Sequence, residues 1–419
     1  MLKRLQKLLG IDVAHYLRGG GFLMTAQWLL FAFHFVSTWF FTNYVDKEIY
    51  GSYGYVQALL AMLVITTFQG YHVAVNRGAA RGFDGVLIAS VLKRMKFSLV
   101  GSLIMAGVGV YYFAVGDREL AIGCLIGGTM LGTVFALDDF GSFLTGKKKY
   151  GIYAVCSIAI EVTAAGATIA SILLSGQFLV ILTANLLARS IGNLVCTVII
   201  YRRRQGDEID PDFDKFGRRQ TGINALGAVA YHLDQVIVGA LFPMAVMADF
   251  KLASSLTNPI RNVGTMIFQL IFPKMVRREG RAFAVKTLSK GMLLFALMLA
   301  VGAAMFGALV LVMPWLFPKY AATSTPYIFW MIVSAVVGVM VIYFEAYYLS
   351  QDSLHRVYYG VSVARPVLTI VLIPVLVQFF GVFGAIYAKL VARTLETAYL
   401  MVRIFAGWDD YPQQENPQP

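Results

Sequence analysis

Charge is scarce in this sequence. Charged residues make up 14% of the 419-residue chain, against about a quarter in an ordinary soluble protein. Hydrophobic residues make up 58% and mean hydropathy is +0.69, which excludes a soluble domain with a solvated surface. Cysteine is equally sparse. Cys124, Cys156 and Cys196 fall in apolar stretches without metal-ligand or redox spacing, so they read as small core residues and exclude a disulfide framework. There is no GxxxxGK[ST] phosphate loop, no HExxH and no nucleophile elbow. The pattern points away from an enzyme and implies no cofactor and no metal. The short outer segments also disfavour a membrane glycosyltransferase, which needs a larger one to hold its acceptor.

What is present is a series of apolar blocks, each near the roughly 20 residues that span a bilayer as a helix. They run near 20–42, 52–76, 97–115, 120–144, 151–175, 178–201, 220–242, 246–271, 288–312, 326–350, 357–380 and 382–404. The expected fold is an all-α polytopic membrane protein with about twelve transmembrane helices in two six-helix lobes.

The net charge is +12 and the pI near 9.5. With the amino terminus placed inside, inner segments carry Lys3, Arg4, Lys7, Arg77, Arg81, Lys93, Lys147, Lys148, Lys149, Arg202, Arg203 and Arg204, and further basic residues at 274–290. Outer loops carry only Lys47, Arg118, Lys251 and Lys319. This asymmetry puts both termini in the cytoplasm and makes anionic lipid at the cytoplasmic face, not nucleic acid, the partner of the basic excess.

Residues 1–18 read as a short interfacial helix with no cleavable signal peptide. An amino-terminal lobe over 1–205, a solvated cytoplasmic linker over 206–217 and a second lobe over 218–419, with a polar tail from about 407, complete the layout. No residue-level repeat relates the halves. No proline precedes Pro211, whereas the second lobe has Pro243, Pro259, Pro273, Pro314, Pro318, Pro326, Pro366 and Pro374. Interior proline removes a helix hydrogen bond, so the second lobe is expected to hold the more bent helices. The first uses glycines such as those of GCLIGGTMLG (123–132) for close approach.

Seven ionisable residues fall near mid-span: Glu161, Arg189, Asp234, Arg261, Arg365, Lys389 and Arg393. Asp138, Asp139, Glu345 and Glu396 lie nearer the inner ends. Charges at such depth face protein or a wet path and usually pair. Each pair could simply lock helices, but five cations exceed what two mid-span acids neutralise. Arg261 and Arg365 stand beside Pro259 and Pro366, and Lys389, Arg393 and Glu396 share a helical face. The set Arg261, Arg365, Arg393, Lys389, Arg189 and Arg77 is therefore expected to bind an anionic substrate in a cationic lumen, because the guanidinium fork suits phosphate. Asp234 is expected to have a cation partner, either Arg261 or a residue of the last span. Asp234 and Glu161 are the carboxylates able to couple or gate, through a proton or sodium ion. His34 and His232 read as packing residues, and Trp39, Tyr50 and Trp315 as interfacial anchors.

LRGGGFLMTAQ (17–27), FTNYVDKEIYGSYGYVQALL (41–60) and INALGAVAYHLDQVIVGALFPMAVMADFKLASSLTNPIRNVGTMIFQLIFPKM (223–275) resemble the signatures of Wzx-type oligosaccharide flippases of the multidrug/oligosaccharidyl-lipid/polysaccharide exporter superfamily. In that family an aspartate commonly stands where Asp234 does, followed by prolines where Pro259 and Pro273 stand. The resemblance implies export of a polyprenyl-pyrophosphate-linked oligosaccharide across the inner membrane by alternating access, with Asp234 and Arg261 carried over as functional. A drug or cation antiporter of the same superfamily is the alternative. It would prefer an acidic pocket, and its family often has a proline in the first span, where this chain has none.

Overall fold

The computed structural model describes residues 13–275, 281–351 and 355–406. All regular structure in them is helical. In hydrocarbon there is no water to satisfy backbone N–H and C=O groups, so each apolar block closes its hydrogen bonds within itself. Helix α1 spans Val13–Tyr44. The second block is broken into α2 (Lys47–Leu63), a 3-10 turn (Val64–Thr67) and α3 (Tyr71–Ala80). Then come α4 (Val86–Val115), α5 (Arg118–Phe135) continued by α6 (Asp139–Gly146), α7 (Tyr150–Leu174) and α8 (Phe178–Arg202). The second half holds α9 (Phe213–Leu241), α10 (Met244–Met275), α11 (Arg281–Leu316), α12 (Ala321–Ser350), α13 (His355–Phe380) and α14 (Val382–Ala406).

These helices make about twelve spans of a multi-pass membrane protein. Among the described residues, 8 stretches are long and apolar enough to cross a membrane by composition alone. Helices α9, α10 and α14 have the length but are too polar to join that set, and they carry Asp234, Arg261, Lys389 and Arg393. The opposite extreme is α11, which exposes Leu293, Leu297, Leu311 and Trp315 as a lipid-facing surface would.

The chain forms two compact units, Met1–Ala228 and Val229–Pro419, so the division falls inside α9. In the first, α4 packs on α5, α7 on α8, α5 on α8, α1 on α7 and α3 on α6. In the second, α12 is central, packed against α10, α11 and α14, with α13 against α14. The helix expected over 1–18 lies partly outside the described residues, and the tail from about 407 wholly so.

The prolines of the second half do not end their helices. Pro314, Pro326, Pro366 and Pro374 sit inside α11, α12 and α13, each of which continues as one helix. The interruptions occur in the first unit, at 64–70 and 136–138, in a stretch that precedes every proline of the chain. Phe68 turns left-handed there, at φ 55°. At Gly70 the backbone of α9 passes so close that a Cβ would meet Thr221 N at 2.2 Å and Gly217 O at 2.6 Å. A break frees carbonyls, which must find other donors. Arg94 Nε donates to Thr67 O at 3.1 Å, Asn193 to Val134 O at 2.7 Å and the Thr197 hydroxyl to Leu137 O at 2.7 Å.

The segment read as a solvated linker is half strap. Asp207, Glu208 and Ile209 are exposed, but Asp210 is buried and pairs with Arg81 at 3.1 Å. Gln205 N–H donates to Asp84 at 2.8 Å, Gly85 N–H to Glu208 O at 3.0 Å, and Lys93 reaches Asp214 at 2.5 Å. Lys147 pairs with Asp84. Burial raises the Asp84 carboxyl, but the Gln205 N–H and the Lys147 ammonium outweigh it and hold it below its usual range.

Candidate functional site

The deep charges of the first unit close on one another. Arg94 is wholly buried on α4 and reaches Asp139 of α6, also wholly buried, at 2.5 Å. His72 Nδ1 lies 2.7 Å from the same carboxylate, and the Ser90 hydroxyl donates to its other oxygen. Arg189 of α8 donates to both oxygens of Glu161 on α7, each at 2.9 Å. Arg77 lies 4.0 Å from Asp212 and 4.5 Å from the centre of the Phe216 ring, at the strap.

The second unit is different. Asp234 is buried on α9, and Lys389 of α14 reaches its Oδ2 at 2.6 Å. The partner thus comes from the last span, not from Arg261. Lys389 also donates to the Tyr231 carbonyl at 2.7 Å. The second oxygen, Asp234 Oδ1, is buried without a hydrogen-bond partner. A carboxylate with one oxygen unmet is poorly compensated in a dry setting. The Tyr231 ring, three residues before Asp234, is faced by the Arg261 guanidinium at 3.9 Å and by Lys389 Nζ at 5.2 Å. Gln235 donates to Ser254 at 3.2 Å and so ties α9 to α10.

Arg393 occupies the seam between α12 and α14. Its Nη1 donates to the carbonyl and the hydroxyl of Ser334, both at 2.8 Å. Gly338 makes room for it, since a Cβ there would sit 3.3 Å from the guanidinium carbon. No carboxylate lies within salt-bridge reach of Arg393 among the described residues. A guanidinium carries five N–H donors, so Nε and Nη2 keep capacity for an anion. Arg365 of α13 is compensated twice, by Glu345 of α12 at 3.0 Å and by Glu396 of α14 at 3.1 Å. Arg261, Arg365 and Arg393 lie within electrostatic reach of one another, and Lys389 within reach of Arg261 and Arg393.

The structure therefore gathers four of the six expected substrate cations, Arg261, Arg365, Lys389 and Arg393, in one cluster. Arg77 and Arg189 belong to other contacts. Sequence reasoning missed two members. Tyr231 was legible as the residue one turn before Asp234, whereas Ser334 had no signal; Glu396 was already placed on the face of Lys389 and Arg393. What the cluster can do is hold a multivalent anion: charge-assisted bonds from guanidinium to phosphate oxygens are among the stronger hydrogen bonds.

None of the curated proteins matches the chain by sequence. Among solved structures it resembles the lipid II flippase MurJ in an inward closed conformation, at TM-score 0.66 and 12% identity, covering 91% of this chain and 87% of that one. It resembles an inward-facing multidrug resistance MATE family transporter of the MOP superfamily at TM-score 0.65 and 15% identity, covering 90% and 94%. A MOP superfamily transporter from Pyrococcus furiosus matches at TM-score 0.59 and 14% identity, covering 96% and 98%. At these identities the likeness is one of fold. The sequence family described as polysaccharide biosynthesis protein matches residues 16–279, well over half of the chain. The chain therefore belongs to the polysaccharide biosynthesis protein family, on the multi-pass helical fold of the MOP-superfamily transporters.

Proposed function

We propose that the protein is a flippase that carries a polyprenyl-pyrophosphate-linked oligosaccharide from the inner to the outer leaflet of the inner membrane by alternating access. The observation that carries this reading is Arg393, a membrane-deep arginine whose only described hydrogen bonds go to an uncharged serine. Together with Arg261 and Lys389 it makes a site for the pyrophosphate. The lipid tail stays in the bilayer, while the sugar hydroxyls, costly to bury unpaired, need a wet polar path. The family match supports a role in polysaccharide biosynthesis, and the likeness to the lipid II flippase supports the fold for it.

In this reading Asp234 gates. It holds Lys389 in one conformational state and releases it in the other, and its unmet oxygen makes the paired state only moderately favourable. Glu161, held at both oxygens by Arg189, stays closed and takes no part in the gating in this reading. The coupling ion is a proton or sodium. The test is transport of a fluorescent polyprenyl-pyrophosphate sugar by the full chain in liposomes. Protection of the probe from an external quencher, lost in Arg393→Gln, is the expected result. Equal movement of the probe in empty liposomes, or of a cationic dye in its place, rejects the reading.

A further inference from the structure

Glu345 and Glu396, the two acids that meet Arg365, have no part in the proposed transport cycle. Two carboxylates from different helices converge on one nitrogen: Arg365 Nη1 lies 3.0 Å from Glu345 Oε1 and 3.1 Å from Glu396 Oε2. One positive charge thus stands between two acids. The Glu396 side chain is 3% exposed and Glu345 17%. Like charges that share a dry site resist joint ionisation, because water cannot screen them. The ordinary answer to one cation and two acids is one shared proton.

The charged and titratable neighbours bear on this. On α14, Arg393 is one turn before Glu396, but its Nη1 is held by Ser334 across the α12 seam. On α10, Arg261 lies against Tyr231, and on α9, Asp234 is paired with Lys389, with His232 beside them. On α13, Tyr358 faces Glu345 and Arg365. On α12, the Tyr343 hydroxyl donates to Thr287 O of α11 and the Tyr348 hydroxyl to Leu400 O of α14. None of these groups makes a direct ion pair with Glu345 or Glu396 among the described residues. The Arg365 side chain is 31% exposed beside a buried Glu396.

We propose that Glu345 and Glu396 on Arg365 form a proton-binding site, and that its loading strengthens the hold of the neighbouring cations on an anionic head group. The proton comes from water and adds to a carboxylate oxygen; no covalent bond in the protein changes. Arg365 lies within electrostatic reach of Arg261 and Arg393. With both acids ionised, the triad draws on the same positive field that the pyrophosphate needs. With one neutralised, that field is returned to the anion. By linkage, head-group binding must then take up a proton. This second clause rests on the head-group reading above; the proton site itself does not.

Infrared difference spectroscopy on the reconstituted full chain tests the site without substrate. A protonated carboxyl C=O band should be present in the wild type at neutral pH and disappear in Glu396→Gln or Glu345→Gln, but not in Asp234→Asn. No such band in the wild type, or one unchanged in both Gln variants, overturns the site. Should a Gln variant fail to fold, Glu396→Asp keeps the acid at shorter reach and must shift the midpoint; an unmoved midpoint also overturns it. Calorimetry with inorganic pyrophosphate tests the linkage. Wild-type affinity should rise about tenfold as the site protonates. Glu396→Gln should bind tightly at high pH, with a flattened profile after the titration of pyrophosphate, common to both proteins, cancels. The same profile in both overturns the linkage. Absence of pyrophosphate binding in every variant overturns the head-group reading and the linkage together, and leaves the infrared result to decide the proton site.

Discussion

In the first unit the deep arginines Arg94 and Arg189 end on the carboxylates Asp139 and Glu161. In the second, Arg393 ends on Ser334 and Arg261 faces the Tyr231 ring, while Asp234 keeps one oxygen unmet. The same residue type does different work in the two units. A closed pair fixes two helices and has nothing left to offer a ligand. The Arg393 guanidinium, resting on the neutral Ser334, is held in place and still able to take an anion. The difference also follows the backbone: the first unit breaks two spans and needs Arg94 to satisfy the freed Thr67 carbonyl, whereas the second keeps its helices continuous.

The strongest way to break this comparison is to exchange the burdens. Arg94→Gln leaves the fully buried Asp139 with only His72 and Ser90 among its described partners and should lower stability by about 3–5 kcal/mol, the usual result of removing one partner of a buried pair. Thermal unfolding in detergent measures it, and a loss no larger than that of Arg393→Gln would erase the distinction. Next in size, Arg393→Gln should weaken pyrophosphate binding about 10- to 100-fold, from about 1.5–3 kcal/mol for a hydrogen bond to a charged group, with little loss of unfolding temperature. Calorimetry on the purified chain checks it.

Asp234→Asn keeps shape and removes charge. It should free Lys389, shift the conformational populations seen by spin-label distances and lower export severalfold. Wild-type populations and export would end the gating role whatever the effect on stability. The smallest effect concerns the strap. The Asp84 carboxyl is held below its usual range in the folded protein, so its contribution is complete above the unfolded value of about 3.9 and is lost as pH falls through the lower folded value. Proteolysis of the 203–212 segment should therefore stay slow down to about pH 4 and quicken below it. Asp84→Asn should quicken it already at neutral pH.

The spans were legible because blocks of this length leave the backbone few choices, and the broken second and fourth spans were not. No proline marks them, and at the second span the backbone of α9 comes up against Gly70, 151 residues away along the chain. The charges were legible as a set but not as pairs. Lys389 and Asp234 stand far apart in sequence, and Arg365 meets acids 20 and 31 residues away on two other helices. Counting only the mid-span acids made Arg365 look uncompensated, because Glu345 and Glu396 were placed nearer the inner ends. Tertiary neighbours, not spacing, decide which cation is left with donors to spare.

The central claim is that the second unit's cations, and not the first unit's, hold the substrate's pyrophosphate. It is tested most directly by transport of a fluorescent polyprenyl-pyrophosphate sugar in liposomes, comparing Arg393→Gln with the double variant Glu161→Gln and Arg189→Gln. The double change removes a closed pair as a unit and leaves no lone buried charge. The account predicts that Arg393→Gln lowers the initial rate by about tenfold or more at unchanged protein incorporation, while the double variant transports within about twofold of wild type. Equal losses in the two, or a larger loss in the double variant, would contradict it.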